Sequence, residues 1–283
     1  MKRIKVKTPA KINLTLEVLN KREDGFHNIQ SIMQAISLYD YLSFEIQENE
    51  GIEIKLDGNS KNIPYDSSNL VHKAAVKFFE KAGISDIKLD IYIEKNIPIA
   101  AGLAGGSTNA AGTFYALNKL FNNVLSLSEI DELCASLGSD INFCLKGGCC
   151  LCSSRGEKIE NLPTYIQKVS LIKPKNLGIS AKEAYMNFSK LSNKSNPNNT
   201  IKLKNLLLTN SFDKSLLYNS LEKALFPSYE ELTKIKENVK GSLMSGSGAT
   251  FFVLDENINT MLDKSRYEIF ENLTTIDTGV KEV

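Results

Sequence analysis

A glycine-rich segment, Pro98-Ile-Ala-Ala-Gly-Leu-Ala-Gly-Gly-Ser-Thr, separates a strand pattern from a helix pattern in this chain. Before it, apolar and polar residues alternate from Ile87 to Ile93, as in a strand with one buried face. After it, apolar residues recur at helical spacing: Ala110, Phe114, Leu117 and Phe121. We expect Ser107 or Thr108 to cap this helix, because hydroxyl oxygens accept from the free N–H groups of a first turn.

The three glycines of this segment, Gly102, Gly105 and Gly106, predict a binding site for phosphate. Without a Cβ the backbone N–H groups can approach an anion closely, and the helix that follows directs the positive end of its dipole at the same place. The sequence of the segment does not match a P-loop, which needs Lys after its last glycine. It does not match the dinucleotide-binding fingerprint either, which needs glycine at its first, third and sixth positions. A tight strand-to-helix turn without a ligand is the alternative.

The size and charge of the chain exclude several classes of function. Its 283 residues are enough for one large or two ordinary domains. The 34 Lys and Arg nearly balance the 33 Asp and Glu, and no long basic run occurs, so we expect no nucleic-acid partner. No apolar run approaches the roughly 18 residues of a membrane span and the N-terminus shows no signal-peptide pattern, so we expect a cytoplasmic protein without a membrane partner.

The cysteines are clustered, and we expect free, mostly buried thiols, with the run from Cys149 to Cys152 on a strand. A metal site is the alternative, but zinc sites pair their ligands at short gaps, and the two histidines lie far away in sequence. The five positions are Cys134, Cys144, Cys149, Cys150 and Cys152.

Near the N-terminus, apolar residues occupy every even position from Ile4 to Val18 except Thr8, which predicts a long strand. Lys11 and Asn13 then lie on its polar face, where a lysine is usually solvated. Strands and helices follow without strict alternation, which favours the α+β class. Further strands are expected at 42–46, 52–56, the cysteine run and 250–254; helices from Ser67 or Ser68 to Gly83, at 128–138, 214–225 and 229–238; a surface loop at 187–200; and a turn at 246–248.

Three polar segments admit two interpretations each. Asp140 follows a helix end at Gly138, so it is either a helix N-cap or a carboxylate held beside the apolar core. Phe26 and His27 follow a turn and are either packing residues or a stacking face and polar edge for a nucleotide base. The Ser-Gly-Ser-Gly run from 245 to 248 is either a hairpin turn or backbone placed close to phosphate groups.

Four motifs, in order, resemble those of the GHMP kinases, and together they cover nearly the whole chain. They are Thr8-Pro-Ala-Lys-Ile-Asn, the segment from Pro98 to Thr108, Gly138-Ser-Asp and Met244-Ser-Gly-Ser-Gly-Ala. The resemblance implies a two-domain α+β GHMP kinase fold. Its N-terminal domain, residues 1–155, would be like ribosomal protein S5, and its C-terminal domain, residues 156–283, would be ferredoxin-like.

The resemblance also implies ATP-dependent phosphorylation of a small alcohol, with Mg²⁺. The Asp matching Asp140 accepts the proton of the acceptor hydroxyl in these kinases, and the Lys matching Lys11 pairs with it. The implied ATP-binding residues are Pro98, Ile99, Ala100, Ala101, Gly102, Leu103, Ala104, Gly105, Gly106, Ser107 and Thr108, with Asn69 and Lys95 on the adenine side. The implied substrate-binding residues are Asn13, Phe26, His27, Lys146, Tyr185, Ser245, Gly246, Ser247 and Gly248. No acidic residue stands out as a metal ligand, so Mg²⁺ ligation would fall to the ATP phosphates, Ser107 or Thr108, and water.

The segment Asp24-Gly-Phe-His-Asn-Ile-Gln bears on the identity of the acceptor. It resembles the substrate loop of the GHMP kinases that phosphorylate the 2-hydroxyl of a cytidine diphosphate-linked methylerythritol in the non-mevalonate isoprenoid pathway. Homoserine or mevalonate as acceptor remains an alternative, as does a catalytically inactive nucleotide-binding protein. We expect a monomer or a weak homodimer.

Overall fold

The computed structural model describes residues 1–192, 194, 196–258 and 262–283. Its α-helices are α1 Leu70–Ala82, α2 Gly105–Leu120, α3 Leu127–Leu137, α4 Ile141–Lys146, α5 Ala181–Ser189, α6 Asn199–Leu208, α7 Glu222–Leu225 and α8 Glu230–Asn238. Its strands are β1 Lys2–Lys21, β2 His27–Glu48, β3 Ile52–Gly58, β4 Ile87–Glu94, β5 Cys149–Ser154, β6 Lys158–Leu162, β7 Lys168–Pro174, β8 Tyr218–Asn219, β9 Leu243–Met244, β10 Phe251–Leu254, β11 Tyr267–Thr274 and β12 Lys281–Glu282.

The long hairpin of β1 and β2 is the centre of the larger sheet, which has eight strands. One half of β2 pairs with β4, which carries β3 at the sheet edge, and the other half pairs with β5, which carries β6. Strands β8 and β12, from late in the chain, return to pair with β1. The smaller sheet has the order β11-β7-β10-β9 and is antiparallel throughout. Helices together with these mixed sheets confirm the α+β class.

Two apolar clusters fill the space around the hairpin. The larger includes the aromatic residues Phe44, Phe78 and Phe114, from β2, α1 and α2, all with 1% or less of their surface exposed. The smaller joins Ile12 of β1 to the smaller sheet and to α6. Because apolar layers lie on both sides of β1, its residues from Thr8 to Val18 are almost all buried.

This burial corrects the expectation of a solvated polar face on β1. Lys11 and Asn13 share a face with each other, but they are only 4% and 1% exposed. Alternation in the sequence shows which residues share a face of a strand, and it cannot show that a second layer covers the polar face.

The expected strands 42–46, 52–56 and 87–93 lie within β2, β3 and β4, and the cysteine run forms β5. Two parts of the second half differ from expectation. The proposed loop 187–200 includes the end of α5 and the start of α6, and within it residues 193 and 195 lie outside the described part of the chain. The proposed helix 214–225 is instead a 3-10 turn, the short β8 and α7. The expected boundary near residue 155 falls in the turn between the paired strands β5 and β6, and it remains a prediction.

Both expected helix caps are wrong. Helix α1 is capped by Asn69, whose Oδ1 accepts from Val71 N at 2.9 Å, because Ser68 is engaged with Asp66 through its backbone N–H and its hydroxyl. Gly83 ends α1 as expected, in the left-handed conformation. Helix α2 begins earlier than expected, with Ala104 at the N-cap position and no side-chain cap, so Ser107 and Thr108 lie inside its first turn.

Candidate active site

The glycine-rich segment forms a winding turn from β4 into α2. Ala100, Gly102 and Ala104 all have positive φ, so every second residue of the turn is left-handed. A Cβ on Gly102 would lie 2.0 Å from the carbonyl oxygen of Ser245, and one on Gly105 would lie 2.7 Å from Lys95 Nζ. Gly102 therefore requires glycine for packing as well as for any ligand, whereas a side chain at Gly105 would displace the Lys95 ammonium.

The first turn of α2 offers free donors. The N–H groups of Gly105, Gly106 and Ser107 have no partners within the helix, as in any first helical turn, and the helix dipole adds positive potential there. Thr108 differs, because its hydroxyl donates to the carbonyl of Pro9 at 2.8 Å and is fully buried. This turn can hold a phosphate group through its backbone.

Hydrogen bonds tie the glycine turn to distant parts of the chain. Lys11 N donates to the Leu103 carbonyl at 3.2 Å, and Thr250 N donates to the Ala101 carbonyl at 3.3 Å. Ile179 N donates to a third turn carbonyl, that of Ala100. The turn is thus held by β1 and by the C-terminal half of the chain.

The Lys11 ammonium lies next to this turn. Nζ donates to the Gly102 carbonyl at 2.8 Å and to Asn13 Oδ1 at 2.6 Å, and it lies 4.0 Å from Asp140 Oδ2. The side chain is 5% exposed, so its charge is satisfied by these oxygens and not by bulk water. Lys11 therefore links the turn to the Asp140 carboxylate.

Asp140 occupies the N-cap position of α4, but its side chain makes no capping hydrogen bond. The side chain is 31% exposed, with Ile141 and Phe143 buried behind it. Asp140 therefore occupies the N-cap position without acting as a capping side chain, which leaves the second interpretation, a carboxylate held beside the apolar core. The carboxylate remains open to solvent or ligand, beside the Lys11 charge.

The 245–248 run packs directly on the glycine turn. Ser245 Oγ donates to the Gly102 carbonyl at 3.0 Å, and a Cβ on Gly246 would lie 2.9 Å from Lys11 Nζ. Gly246 and Gly248 both have positive φ, and the Gly248 N–H closes the turn onto the Ser245 carbonyl at 2.9 Å. The turn expected here is confirmed, and its backbone lies beside Lys11.

Two of the proposed base-binding residues, His27 at the start of β2 and Tyr185 on α5, come together, and Phe26 precedes His27 in the chain. The rings of His27 and Tyr185 are stacked with centroids 5.6 Å apart, and His27 Nε2 lies 3.1 Å from Ser189 Oγ. Phe26 is half exposed, and the guanidinium of Arg155 covers one face of its ring at 5.1 Å. A planar base can therefore approach the other face of Phe26.

Electrostatics connects this aromatic group to Asp140. Burial and the negative charge of Asp140 raise the pKa of the Tyr185 hydroxyl above its usual value. Burial lowers the pKa of His27, and the charges of Lys21 and Lys194 lower it further. Burial and these two lysine charges thus favour the neutral form of His27, whose ring stacks on Tyr185.

Other proposed site residues lie apart from this centre or are already engaged. Lys146 ends α4 and is exposed, and its side chain makes no ion pair or hydrogen bond with another described residue. Asn69 uses its amide oxygen for the α1 cap, and its NH₂ donates to the Pro64 carbonyl at 2.6 Å. Pro98 and Ile99 begin the turn, and Ile99 is 38% exposed.

Lys95 forms a buried ion pair with Asp40, a residue that sequence reasoning missed. Asp40 also accepts from the N–H groups of Asn96 and Ile97, at 2.7 and 2.8 Å, and from Asn109 Nδ2 at 2.9 Å. Burial lowers the pKa of Lys95. A sequence signal existed, since Asp40 shares the parity of the apolar residues at 42, 44 and 46 and so lies on the buried face of β2.

Comparison with known proteins assigns the family. The model of the GHMP kinases N terminal domain matches residues 69–148. A 4-diphosphocytidyl-2-C-methyl-D-erythritol kinase of Clostridium beijerinckii is 39% identical over 90% of this chain and 92% of its own length. The protein of that name from Carboxydothermus hydrogenoformans is 42% identical over 94% of this chain and 91% of its own.

Solved structures agree with this assignment. A crystal structure of 4-(cytidine 5'-diphospho)-2C-methyl-D-erythritol kinase superposes with a TM-score of 0.71 at 25% identity, covering 96% of this chain and 99% of the other. Homoserine kinase from Cytophaga hutchinsonii gives a TM-score of 0.75 at 20% identity, covering 100% and 98%, which shows the shared fold. The chain belongs to the 4-diphosphocytidyl-2-C-methyl-D-erythritol kinase family of the GHMP kinases.

Proposed function

We propose that this kinase transfers the γ-phosphoryl group of ATP to the tertiary 2-hydroxyl of 4-diphosphocytidyl-2-C-methyl-D-erythritol, a step in making isoprenoid precursors by the non-mevalonate pathway. The observation that carries the proposal is the position of Asp140, 4.0 Å from Lys11 Nζ, with Nζ bonded to the glycine turn. A nucleophile bound at Asp140 would thus lie beside a phosphate held by that turn. The names of the relatives supply the acceptor.

The glycine turn would hold the phosphates of ATP. The free N–H groups of Gly105, Gly106 and Ser107 are the donors, and the residues from Pro98 to Thr108 form the wall around them. Lys95 and Asn69 keep their proposed places on the adenine side. Their present hydrogen bonds to Asp40 and Pro64 favour an indirect contribution, through the start of the turn and the α1 cap.

Asp140 would accept the proton of the 2-hydroxyl as the oxygen attacks phosphorus. Its carboxylate is free of capping bonds and therefore available to a hydroxyl. Lys11 would stabilise the negative charge that spreads over the transferred group, because its ammonium lies between the turn and the carboxylate. The backbone of the run from Ser245 to Gly248, next to Lys11, would contact phosphate oxygens of the substrates.

The cytidine group would bind at the aromatic residues of β2 and α5. Phe26 and Tyr185 would stack on the base, and neutral His27 would form hydrogen bonds with its edge. Asn13 would act on the methylerythritol part of the acceptor indirectly, by holding the Lys11 ammonium. Lys146 would attract the diphosphate of the acceptor. No such aromatic group is needed for homoserine or mevalonate, and this favours the larger acceptor over them.

The residues near the turn fit Mg²⁺, which we include in the proposal. Mg²⁺ in kinases takes most of its ligands from the phosphates and water, with one or two protein oxygens. The Asp140 carboxylate and the Ser107 hydroxyl are the suitable protein oxygens. The Thr108 hydroxyl is not, because it is buried and donates to Pro9. The ion would neutralise phosphate charge.

Three further expectations belong to the proposal. No described helix is long and apolar enough to cross a membrane. Five buried free thiols support a reducing cytoplasmic location. The division into domains near residue 155 and a monomeric or weakly dimeric state also stay predictions, the latter to be tested by sedimentation over a range of protein concentrations.

The proposal is tested by the site of phosphorylation. The protein is incubated with Mg²⁺-ATP and each of three acceptors: the cytidine-bearing methylerythritol, homoserine and mevalonate. We expect ADP formation only with the first, and a product whose ³¹P spectrum shows one new phosphomonoester coupled to no proton, as a tertiary 2-phosphate requires. Turnover of homoserine or mevalonate instead would assign another acceptor, and no turnover of any would favour an inactive nucleotide-binding protein.

A further inference from the structure

A chain of buried hydrogen bonds leads from Ser31 on β2 to Lys11. Ser31 Oγ donates to the carbonyl of Thr15 at 2.6 Å and accepts from Asn13 Nδ2 at 2.7 Å. Asn13 Oδ1 in turn accepts from Lys11 Nζ at 2.6 Å. Ser31, Asn13 and Lys11 are 0%, 1% and 4% exposed, so water does not compete for these bonds.

Chemistry fixes the direction of every bond in this chain. An ammonium can only donate, so the Asn13 atom that faces Lys11 has to be the amide oxygen. A carbonyl can only accept, so the hydroxyl hydrogen of Ser31 has to point at Thr15. The Ser31 oxygen is then left to accept from the Asn13 NH₂. A rotated Asn13 amide would place its NH₂ against the ammonium, and its oxygen would face a hydroxyl whose hydrogen is already donated.

A β-bulge brings these groups together. Asn13 pairs with Met33, but Thr15 pairs with the adjacent Ile32, so Leu14 is an extra residue in β1. The hydroxyl of Thr15 accepts the N–H of Ile32 at 3.0 Å, and its carbonyl accepts from the serine. Bulges commonly redirect side chains next to active sites. Here the irregular pairing leaves the Thr15 carbonyl free to accept from Ser31, the last bond of this hydrogen-bond series.

We propose that Ser31 is a positioning residue for phosphoryl transfer. It would hold the Asn13 amide in the one orientation that receives Lys11, and so fix the ammonium between Asp140 and the Gly102 carbonyl. Ser31 itself does not touch the reacting groups. This inference rests on the proposed function, because the place of Lys11 matters only if Lys11 and Asp140 carry out the transfer.

The test is a steady-state comparison of Ser31→Ala with wild type. The variant removes one oxygen, which frees the Asn13 amide to rotate away from Lys11. We expect kcat to fall about 10-fold, the effect of one buried hydrogen bond, while KM for ATP and for the acceptor stay within about twofold. Ser43→Ala is the matched control, because Ser43 lies on the same strand, is half-buried and makes no hydrogen bond with another described side chain. Its kcat should not change.

A double-mutant cycle separates positioning from general loosening of the fold. In an Asn13→Ala background, Ser31→Ala should change kcat by less than about twofold, because the hydrogen bonds between Ser31 and Lys11 are already lost with the Asn13 amide. The inference is overturned if Ser31→Ala keeps wild-type kcat, if KM rises together with the loss of kcat, or if the two substitutions have multiplicative effects. Should wild type phosphorylate another alcohol, the same cycle with that alcohol tests Ser31 although the proposed acceptor has failed.

Discussion

Lys11 Nζ lies 4.0 Å from Asp140 Oδ2, although one residue is on the first strand and the other begins a short helix in the middle of the chain. This distance exceeds that of a direct hydrogen bond, and the closer partners of Nζ are Asn13 Oδ1 and the Gly102 carbonyl. The carboxylate is therefore held near a positive charge without being blocked by it. A hydroxyl can reach Asp140 while Lys11 stays bound to the turn.

Asp140→Asn should lower kcat by about 10²–10⁴-fold, the usual effect of removing a positioned general base. The fold should be unaffected, since the Asp140 side chain makes no capping bond that the amide would lose. Steady-state kinetics, thermal unfolding and ATP titration measure the three quantities. Asp131→Asn, on the neighbouring α3, is the control and should leave kcat unchanged. Near wild-type turnover of Asp140→Asn would refute the catalytic role.

Gly106→Val should lower ATP affinity at least about 10-fold with little change in stability. A Cβ at Gly106 would lie 3.5 Å from Leu70 Cδ1, an ordinary contact, and the position is helical without a left-handed φ. The added side chain would therefore obstruct the anion and not the fold. Calorimetric titration with a non-hydrolysable ATP analogue is the measurement, and unchanged affinity would mean that the turn does not hold the phosphates.

Gly102→Ala is the contrasting variant for this turn. Its Cβ would meet the Ser245 carbonyl at 2.0 Å, and Gly102 has a φ of +73°. We expect a loss of about 1–3 kcal/mol in the free energy of unfolding, measured by urea denaturation, because the turn has to move away from the 245–248 run. A variant as stable as wild type would show that the two glycine motifs are not packed together.

Protonation of His27 should weaken binding of the acceptor at acid pH. Burial and neighbouring lysines lower its folded pKa, so it is neutral at pH 7 and gains a proton only below its ordinary range. The unfolded chain binds that proton first, so His27 contributes stability above the unfolded pKa that is lost as the pH falls toward the folded value. KM for the acceptor should rise as the pH falls below the ordinary range of a histidine, with little change in KM for ATP. His27→Gln should abolish this dependence, and its persistence would assign the dependence to another group.

The five cysteines should not react with iodoacetamide in the native protein at neutral pH. All are buried and free, and burial raises the thiol pKa of Cys150 to about 11 and that of Cys134 to about 12. Mass spectrometry should find five alkylated thiols after unfolding and none before it. Rapid labelling of Cys149, Cys150 or Cys152 in the native chain would show that β5 opens. No cluster of three metal-ligating side chains occurs among the described residues, in keeping with structural thiols.

Local patterns predicted the elements that local forces determine. Alternation of apolar and polar residues correctly predicted β4. Gly83 predicted the end of α1, where it is left-handed, and the two glycines of the 246–248 segment predicted the turn there. The predicted cap of α1 is wrong because Ser67, Ser68 and Asn69 are all good capping residues. Which of them caps the helix depends on Asp66, which engages Ser68.

The site itself required tertiary information. Sequence resemblance named Lys11 and Asp140, but their approach depends on the packing of α4 against β1. The burial of Asn13 and the role of Ser31 depend on the bulge at Leu14 and on a second layer over β1, and neither is visible in a pattern of apolar residues.

Phe26→Ala tests whether the protein recognises the cytidine group of the acceptor. Stacking of a base on an aromatic ring contributes about 1–3 kcal/mol, so the variant should lose about 5- to 150-fold in kcat/KM for the cytidine-bearing acceptor. ATP affinity should stay unchanged, because Phe26 lies just before β2, packs under Arg155 and belongs to none of the segments that form the glycine turn.

The decisive measurement is kcat/KM of wild type and Phe26→Ala on the methylerythritol acceptor with and without its cytidine group. We expect removal of cytidine to lower kcat/KM of wild type strongly and that of Phe26→Ala much less, because both changes remove the same stacking contact. Equal losses in both proteins would contradict base recognition at Phe26. Equal wild-type activity on the two acceptors would contradict recognition of cytidine altogether and assign the acceptor to another alcohol.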